Sequence, residues 1–343
     1  MANSVLTQSI NIDVPIIQAP MAGGATTPEL IAEVSNAGGL GSLGAGYMAA
    51  ENIRTAIKKI RSLTSKPFAV NLFIPNEHHS TTTQIQQACQ TLQQTCTELN
   101  LDVKPVTPPY CQNFAEQIKV IIEESVPIFS FTFGSLESHW IKKLKNNNTV
   151  IIGTATSVAE AELLEQTGID MICAQGIEAG GHRGNFLNPE STSLQTLVKE
   201  LKTTITRPII AAGGLMTASD IQSILALGAD AAQLGTAFLS CPEAGVPECY
   251  KKVLLAQTHD NTVLTRAFSG KQARGIANKF TTRMQNHTNT ILDYPIQNAL
   301  TKPIRATAKK LENTDFMSLW AGQKAYLSRS LPVKKLMQEL YIN

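Results

Sequence analysis

The loop around His182 is the best candidate in this sequence for proton-transfer chemistry. It reads QGIEAGGHRG over residues 175–184, and Gly180, Gly181 and Gly184 flank the histidine. Glycine allows backbone conformations that are closed to other residues. An imidazole titrates near neutral pH, which suits a general acid or base. We therefore predict that His182 is catalytic; a loop histidine that contacts phosphate or solvent is the competing interpretation.

Two charged residues of the same loop, Glu178 and Arg183, have an ambiguous role. An ion pair between them, behind the site, fits the sequence as well as direct contact with a substrate does. The other five histidines lie in helical, insertion or tail contexts, where a surface position is the simpler interpretation.

Two glycine turns predict a phosphate site. One reads AAGG at 211–214 and the other reads QLGT at 233–236. Glycines at the start of a helix expose backbone N–H groups, and the helix dipole favours an anion. After the first turn, Thr217 and Asp220 have the spacing of a capping box, which predicts a helix there. The predicted phosphate residues are Gly213, Gly214, Gln233, Leu234, Gly235 and Thr236.

Two further segments could accommodate a flat ring. The small-residue turn APMAGG at 19–24 would let a ring lie close to the backbone, although a tight β–α turn has the same composition. Asn71 ends another apolar run, and its carboxamide can both donate to and accept from one ring edge, as the pyrimidine of a flavin requires. On its own, Asn71 does not identify a ligand.

All these segments follow short, continuously apolar runs, which are typical of parallel strands covered on both faces. Amphipathic helical patterns separate the runs, for example at 28–37 and 217–227. Eight βα units in series predict an α/β fold of the TIM (β/α)8 barrel type, with an open doubly wound sheet as the alternative. Barrel enzymes place catalytic groups at the C-terminal ends of the strands. The predicted strands are 15–22, 39–46, 67–73, 127–134, 149–156, 171–176, 208–214 and 231–238.

Two segments exceed a minimal barrel. An insertion rich in Gln and Thr, 75–112, follows the third strand, and about a hundred residues follow the eighth. Connections of this length usually carry function or structure of their own. We predict a barrel over 1–244 that contains the insertion, and a final barrel helix plus a small, mainly helical cap over the active site at 245–343.

Composition excludes several other classes of protein. The net charge is +2 in 343 residues, without the basic, aromatic-interleaved runs of nucleic-acid-binding proteins. The N-terminal segment lacks the pattern of a signal peptide, and no apolar run reaches the length of a membrane span. The six cysteines show no metal-ligand spacing. We expect a cytoplasmic protein with free thiols and no bound metal.

The motifs together resemble the nitronate monooxygenases, also called the 2-nitropropane dioxygenase family, and EAGGHRG resembles their class I. The resemblance runs from about residue 10 to 285 and is less clear over the last sixty residues. It is carried by QAPMAGG (18–24), NLF (71–73), QGIEAGGHRG (175–184), PIIAAGGLM (208–216), QLGTAF (233–238) and TRAFSGKQARGIANKF (265–280).

This resemblance implies contacts with flavin mononucleotide (FMN) and places His182 beside the flavin. One phosphate cradle without an adenine-ribose motif also favours FMN over FAD. By resemblance, Tyr110, Tyr294 and Lys302 would lie over the active site, although surface positions in a cap are equally consistent. The predicted cofactor-binding residues are Ala19, Met21, Ala22, Gly23, Asn71, Gln175, Gly180, Gly181, Gly213, Gly214, Gln233, Leu234, Gly235 and Thr236.

The implied activity is oxidation of alkyl nitronates, such as propionate 3-nitronate, by O2 to a carbonyl compound and nitrite, without a nicotinamide cofactor. A protonated His182 could hold the anionic nitronate, whereas a neutral His182 could remove the α proton of a nitroalkane. The expected partners are a small anionic nitronate and O2, in a monomer or homodimer.

The sequence is also consistent with three other functions. An FMN-dependent enoyl-thioester reductase would use NADH. An isomerase or aldolase on a phosphate-binding barrel would be colourless. A non-catalytic flavin-binding protein would hold FMN without being reduced by a nitronate.

Overall fold

The structure, a computed structural model, describes residues 5–341 apart from 77, 79 and 188–190. Eight parallel strands form the central sheet in the spatial order β1-β9-β8-β6-β5-β4-β3-β2. Strands β10 and β11 form an antiparallel hairpin that pairs with β7. The strands, in chain order, are β1 (Ile16–Gln18), β2 (Gly41–Gly44), β3 (Phe68–Phe73), β4 (Ile128–Thr132), β5 (Val150–Ala155), β6 (Met171–Gln175), β7 (Gly181–His182), β8 (Ile209–Ala212), β9 (Ala231–Leu234), β10 (Thr262–Thr265) and β11 (Ala273–Ile276).

The two edges of the large sheet meet through one bridge. Ile17 of β1 pairs with Leu40, just before β2. The Leu40 N–H donates to the Ile16 oxygen at 3.0 Å, and the Gln18 N–H donates to the Leu40 oxygen at 2.9 Å. The fold is therefore a nearly closed (β/α)8 barrel, as predicted, and the doubly wound alternative is wrong. All eight predicted strands are present, but most are shorter because the apolar runs continue into loops.

Helices cover the outside of the barrel. Several begin at side-chain caps that satisfy free N–H groups of the first turn. The capping box predicted at Thr217 and Asp220 is confirmed at the start of α9. The helices are α1 (Val5–Ser9), α2 (Pro28–Asn36), α3 (Ala50–Leu63), α4 (Thr82–Glu98), α5 (Phe114–Glu123), α6 (Ser138–Asn146), α7 (Val158–Gln166), α8 (Leu194–Thr204), α9 (Ala218–Ala226), α10 (Thr236–Leu239), α11 (Glu248–Leu255), α12 (Lys279–Gln285), α13 (Ile296–Lys310) and α14 (Val333–Leu340).

The barrel interior is packed at one end and open at the other. Leu6 and Ile10, in and just after α1, belong to the same apolar cluster as strand residues such as Ile17, Ile128 and Ile210. This N-terminal segment therefore closes the bottom of the barrel. A second and larger cluster lies between the strands and the outer helices. Because the bottom is filled, only the C-terminal ends of the strands are left to form a site.

The chain after β9 returns to the barrel at its last helix. Helix α14 packs against α2 and α9, the first and last of the other barrel helices. The intervening chain contains α11, α12 and α13 and the β10–β11 hairpin. The hairpin was not predicted, because its partner β7 lies some ninety residues earlier. None of the helices within the described ranges is long and apolar enough to cross a membrane, and all six cysteines are free thiols.

Candidate active site

A cavity of about 420 Å³ opens at the C-terminal ends of the barrel strands. This volume is within the range of about 300–1,000 Å³ that is typical of ligand pockets. The structure brings together at its wall all fourteen residues predicted to bind a cofactor, together with His182 and Lys302. Whether each of these residues contacts a cofactor stays a prediction.

The turns after β8 and β9 form one end of the cavity. Gly213 and Gly214 have φ angles of 137° and 66°, in the region that glycine adopts most easily. The backbone N–H groups of Gly214, Gly235 and Thr236 donate no hydrogen bond to another described residue. Free N–H donors at two neighbouring turns are what a phosphate group requires. This end therefore fits the phosphate of a flavin nucleotide.

Amide side chains line the middle of the cavity. Asn71 is buried, and its Nδ2 donates to Ser130 Oγ at 2.9 Å, which leaves its Oδ1 available to accept from a ligand. Gln175 is used inside the protein instead. Its Nε2 donates to the His182 oxygen at 3.0 Å, and its Oε1 accepts from the Gly184 N–H at 2.8 Å. Gln175 therefore holds the histidine loop in place, while Asn71 fits the donor edge of a flavin ring.

His182 is positioned by the hairpin that the sequence did not reveal. It pairs with Ala273 of β11, so its backbone belongs to a three-stranded sheet and not to a free loop. Its ring packs near Phe133 and Trp320, with centroid distances of 5.8 Å and 5.4 Å. The imidazole is thus held among aromatic rings at the cavity wall.

The hydrogen bonds of Ser269 favour one tautomer of His182. His182 Nε2 lies 2.8 Å from Ser269 Oγ. The single hydroxyl hydrogen of Ser269 is donated to the Lys271 oxygen at 3.1 Å. A hydroxyl that donates to Nε2 would give the other tautomer, whereas with the hydrogen on the Lys271 oxygen Ser269 accepts from Nε2–H and the lone pair of the imidazole is on Nδ1. This arrangement leaves Nδ1 as the basic atom of the ring.

Burial, followed by the positive charges of Arg305 and Lys271, lowers the pKa of His182 to about 3. Both effects disfavour the imidazolium form. In the protein without ligand the imidazole is therefore neutral at physiological pH. Of the two roles considered from the sequence, this charge state favours proton removal by His182 over anion binding by a protonated His182.

Glu178 and Arg183 have separate structural partners. The Glu178 carboxylate accepts from the Leu194 N–H at 3.0 Å, at the start of α8. Arg183 is fully buried and donates to the Gln175 oxygen at 3.1 Å and also to the Gly176 oxygen. Both residues hold the loop that carries His182, and neither lines the cavity.

The three predicted lid residues have different positions. Lys302, on α13, lines the cavity. Tyr294 is buried, with its ring 5.7 Å from that of Phe133, and burial raises the pKa of its phenol. Tyr110 contacts His78 in the insertion, at 5.3 Å between ring centroids. Neither tyrosine is among the described residues that line the cavity, so only Lys302 faces it directly.

Four cationic side chains line the cavity, namely Lys302, Arg305, Lys309 and Lys324, and none of the described lining residues is Asp or Glu. Three of the four project from one face of α13, at positions i, i+3 and i+7. Only Lys302 was predicted from the sequence; the helical spacing of Arg305 and Lys309 places them on the same face as Lys302. A cavity with this charge attracts anions. The described residues contain no cluster of His, Cys, Asp or Glu that could hold a metal ion.

Comparisons with known proteins give a consistent result. A family model described as nitronate monooxygenase matches residues 3–343. A protein of Staphylococcus aureus (strain MRSA252), named a probable nitronate monooxygenase, is 41% identical over 339 residues, which cover 98% of this chain and 95% of the relative.

Two solved structures are similar over nearly the whole chain. A nitroalkane oxidase from Streptomyces ansochromogenes is 36% identical with a TM-score of 0.90, and the match covers 98% of this chain and 96% of that one. FabK from Thermotoga maritima is 29% identical with a TM-score of 0.78, and the match covers 99% and 95%.

Proposed function

This chain belongs to the nitronate monooxygenase family and is a flavin-dependent oxidoreductase, and from that premise we propose that it uses FMN to oxidise alkyl nitronates with O2. Propionate 3-nitronate is the representative substrate, the products are a carbonyl compound and nitrite, and no reduced nicotinamide is required. Family membership sets aside the non-redox isomerase or aldolase alternative.

The observation that carries this proposal is the charge of the cavity. Nitronates are small anions, and Lys302, Arg305 and Lys309 line the cavity without an ion-pair partner among the described residues, whereas the fourth cation, Lys324, is paired with Asp220 at 2.5 Å. His182 adds a neutral base at the same wall.

The proposed mechanism divides the work between protein and cofactor. FMN, when bound, supplies the acceptor for the electrons of the substrate and the site at which O2 reacts. The free N–H groups of Gly214, Gly235 and Thr236 would hold its phosphate, and Asn71 Oδ1 would accept from its pyrimidine edge. The protein then positions the substrate and keeps water from it.

His182 acts on the substrate in this scheme. With a nitroalkane, Nδ1 of the neutral imidazole accepts the α proton, and the Ser269 bond to Nε2 holds the ring in that orientation. With a ready-made nitronate, no proton needs to be removed. The same site therefore processes both forms, but only the nitroalkane depends on the basicity of His182.

The cap is part of the proposal. We assign 1–244 to the barrel and 245–343 to the final helix and cap, because α13 places its cationic face at the cavity. Lys302 and Lys309 are exposed at the mouth, where they would attract an anionic substrate from solution.

The test is the visible spectrum and oxygen uptake of the purified protein. We expect bound FMN by mass spectrometry, loss of the flavin absorbance on anaerobic addition of propionate 3-nitronate, and oxygen uptake with the nitronate alone. The enoyl-thioester reductase alternative predicts the opposite, with rapid oxidation of NADH and none of the nitronate. A flavin that neither compound reduces would indicate a non-catalytic flavin-binding protein.

A further inference from the structure

Among the cationic side chains of the cavity, Arg305 has a hydrogen-bond donor for which the proposed mechanism names no acceptor. Arg305 lies on α13, one turn beyond Lys302, and lines the cavity. Its Nη2 donates to the backbone oxygen and to Oδ1 of Asn298, both at 2.8 Å. Its Nε is buried and has no hydrogen-bond partner among the described residues. The guanidinium is thus fixed in orientation, yet one of its donors is unused.

A second unused polar group lines the same cavity. The Tyr47 hydroxyl is buried and has no hydrogen-bond partner in the described part of the chain. The Tyr47 ring packs edge-on against Phe73, with 5.3 Å between centroids. Phe73 also lies 6.4 Å from the ring of His182. Tyr47 and His182 therefore share one aromatic neighbour and line the same cavity.

Arg305 and Tyr47 also affect each other electrostatically. Burial raises the pKa of Tyr47 to about 12, and the positive charge of Arg305 opposes that rise. Burial likewise lowers the pKa of Arg305, and no carboxylate of the described chain forms an ion pair with it. An unpaired, largely buried cation is energetically unfavourable, and so is a buried donor without an acceptor. An anion that accepts from both residues would relieve both costs.

We propose that Arg305 and Tyr47 form a second anion subsite, which binds a carboxylate carried by the nitronate substrate. The inference rests on the proposed function, because it assigns a place to the far end of that substrate. The nitronate end lies beside His182, while the carboxylate accepts from Arg305 Nε and from the Tyr47 hydroxyl. Charge-assisted hydrogen bonds of this type are stronger than neutral ones.

The subsite would give the enzyme a preference between nitronates. A substrate with a carboxylate pairs both unused donors, whereas a simple alkyl nitronate leaves them unpaired. Sites built to hydrogen-bond a group discriminate strongly against analogues that lack it, because the buried partners are left unsatisfied. The subsite therefore affects substrate binding and not the removal of the proton.

The kinetic test compares propionate 3-nitronate with propyl-1-nitronate, which lacks the carboxylate. For Arg305→Met we expect KM for propionate 3-nitronate to rise about 10- to 100-fold, since a hydrogen bond to a charged group contributes about 1.5–3 kcal/mol. Its kcat stays near the wild-type value. The kinetic constants for propyl-1-nitronate change less than about threefold.

Three further variants control for nonspecific effects. Arg305→Lys should recover part of the loss, because it restores the charge without the planar donor geometry. Tyr47→Phe should raise the same KM by about three- to tenfold, since it removes one hydrogen bond. Lys310→Met removes an exposed charge from the same helix, outside the cavity, and should change neither substrate. Flavin content and melting temperature show whether each variant folds. If Arg305→Met does not fold, Tyr47→Phe still tests the subsite.

The possible outcomes distinguish failure of the subsite hypothesis from failure of the proposed function. Equal losses on both nitronates in flavin-loaded Arg305→Met, or no loss on either, would overturn the subsite. If the wild-type chain oxidises neither nitronate, the proposed function fails, and calorimetric titration with succinate decides the subsite alone. Succinate has the length of propionate 3-nitronate, with a carboxylate in place of the nitronate. Weaker binding by Arg305→Met, by about 10- to 100-fold, supports the subsite, whereas equal affinities, including no binding by either protein, overturn it.

Discussion

At the phosphate end of the cavity the groups that face a ligand belong to the backbone, whereas at the His182 end they are side chains from widely separated segments. The phosphate end consists of two short turns, each directly after a strand of the barrel. The His182 end is assembled from β7, from residues 269 and 320 in the C-terminal segment, and from α13. One end is local in sequence and the other is not.

This difference predicts how each end responds to mutation. A backbone site depends on φ angles and on the space that glycines leave free, so the introduction of a side chain disturbs it. A side-chain site depends on the identity of a few groups, so truncation of one group changes the chemistry while the fold is retained. Mutations at the phosphate end should therefore lower cofactor affinity, and mutations at the His182 end should lower turnover.

The largest effect is expected for His182→Asn. Asn keeps hydrogen-bonding capacity but cannot accept the α proton, and a general base contributes about 10²–10⁴-fold. Oxidation of a neutral nitroalkane should fall by that factor, while oxidation of the corresponding nitronate falls much less. Flavin content should stay at the wild-type level, because the phosphate turns are unchanged.

Steady-state kinetics on both substrate forms, with flavin quantified by absorbance, decides the matter. Similar small losses on both forms would exclude a base role for His182. Loss of flavin would show that the two ends of the cavity are not independent.

Gly214→Asp should do the reverse of His182→Asn: it should weaken cofactor binding and leave turnover nearly unchanged. A carboxylate at this turn would lie against the flavin phosphate, and like charges a few ångströms apart repel strongly in a partly buried site. The dissociation constant for FMN should rise at least about tenfold, with little change in kcat once flavin is saturating.

Gly214→Asn is the matched control. Asn has nearly the same size and tolerates the φ of 66° at this position, and either side chain would meet the Glu178 Cβ about equally. The difference in FMN affinity between the two variants therefore isolates the charge. Equal affinities of the two variants for FMN in a fluorescence titration would show that the FMN phosphate does not bind at this turn.

A smaller effect is expected for Ser269→Ala. The hydroxyl accepts from His182 Nε2 and so keeps Nδ1 basic. A single neutral hydrogen bond contributes about 0.5–1.5 kcal/mol, so nitroalkane oxidation should fall by roughly three- to tenfold. Ser269→Thr retains the hydroxyl and should retain the activity. A loss with the nitronate equal to that with the nitroalkane would show that Ser269 does not act through the basicity of His182.

The same contrast explains what the sequence could reveal. The eight strands, the two phosphate turns and the capping box at Thr217 are local patterns, and each is present in the structure. His182 could be found because glycines mark its loop. Its partners could not, because Ser269 and Trp320 are 87 and 138 residues away in the chain and no periodicity links them. Arg305 was partly predictable. Its helical spacing from Lys302 is visible in the sequence, but nothing local shows which face of the helix meets the cavity.

The last effect concerns the pH dependence of stability, and it changes the free energy of unfolding without a direct effect on turnover. His182 has a pKa of about 3 in the folded protein and about 6.5 in the unfolded chain. Between these values the unfolded chain binds more protons, so the free energy of unfolding increases with pH. The contribution of the neutral imidazole is therefore complete above about pH 6.5 and is lost progressively toward pH 3. For one group the slope is at most about 1.4 kcal/mol per pH unit.

Replacement of His182 by Asn should flatten this part of the stability curve, because the titrating group is gone. Gly214→Asn, at the phosphate end, introduces no titrating group. Any change that it makes in the free energy of unfolding should therefore be the same at every pH, and the slope should stay unchanged. Urea unfolding of the flavin-free proteins between pH 4.5 and 7.5 measures both slopes. Parallel curves for wild type and His182→Asn would mean that the imidazole titrates alike in the folded and unfolded chains. In that case its environment would not keep it neutral, and a protonated histidine that binds the nitronate would replace the neutral base in the mechanism.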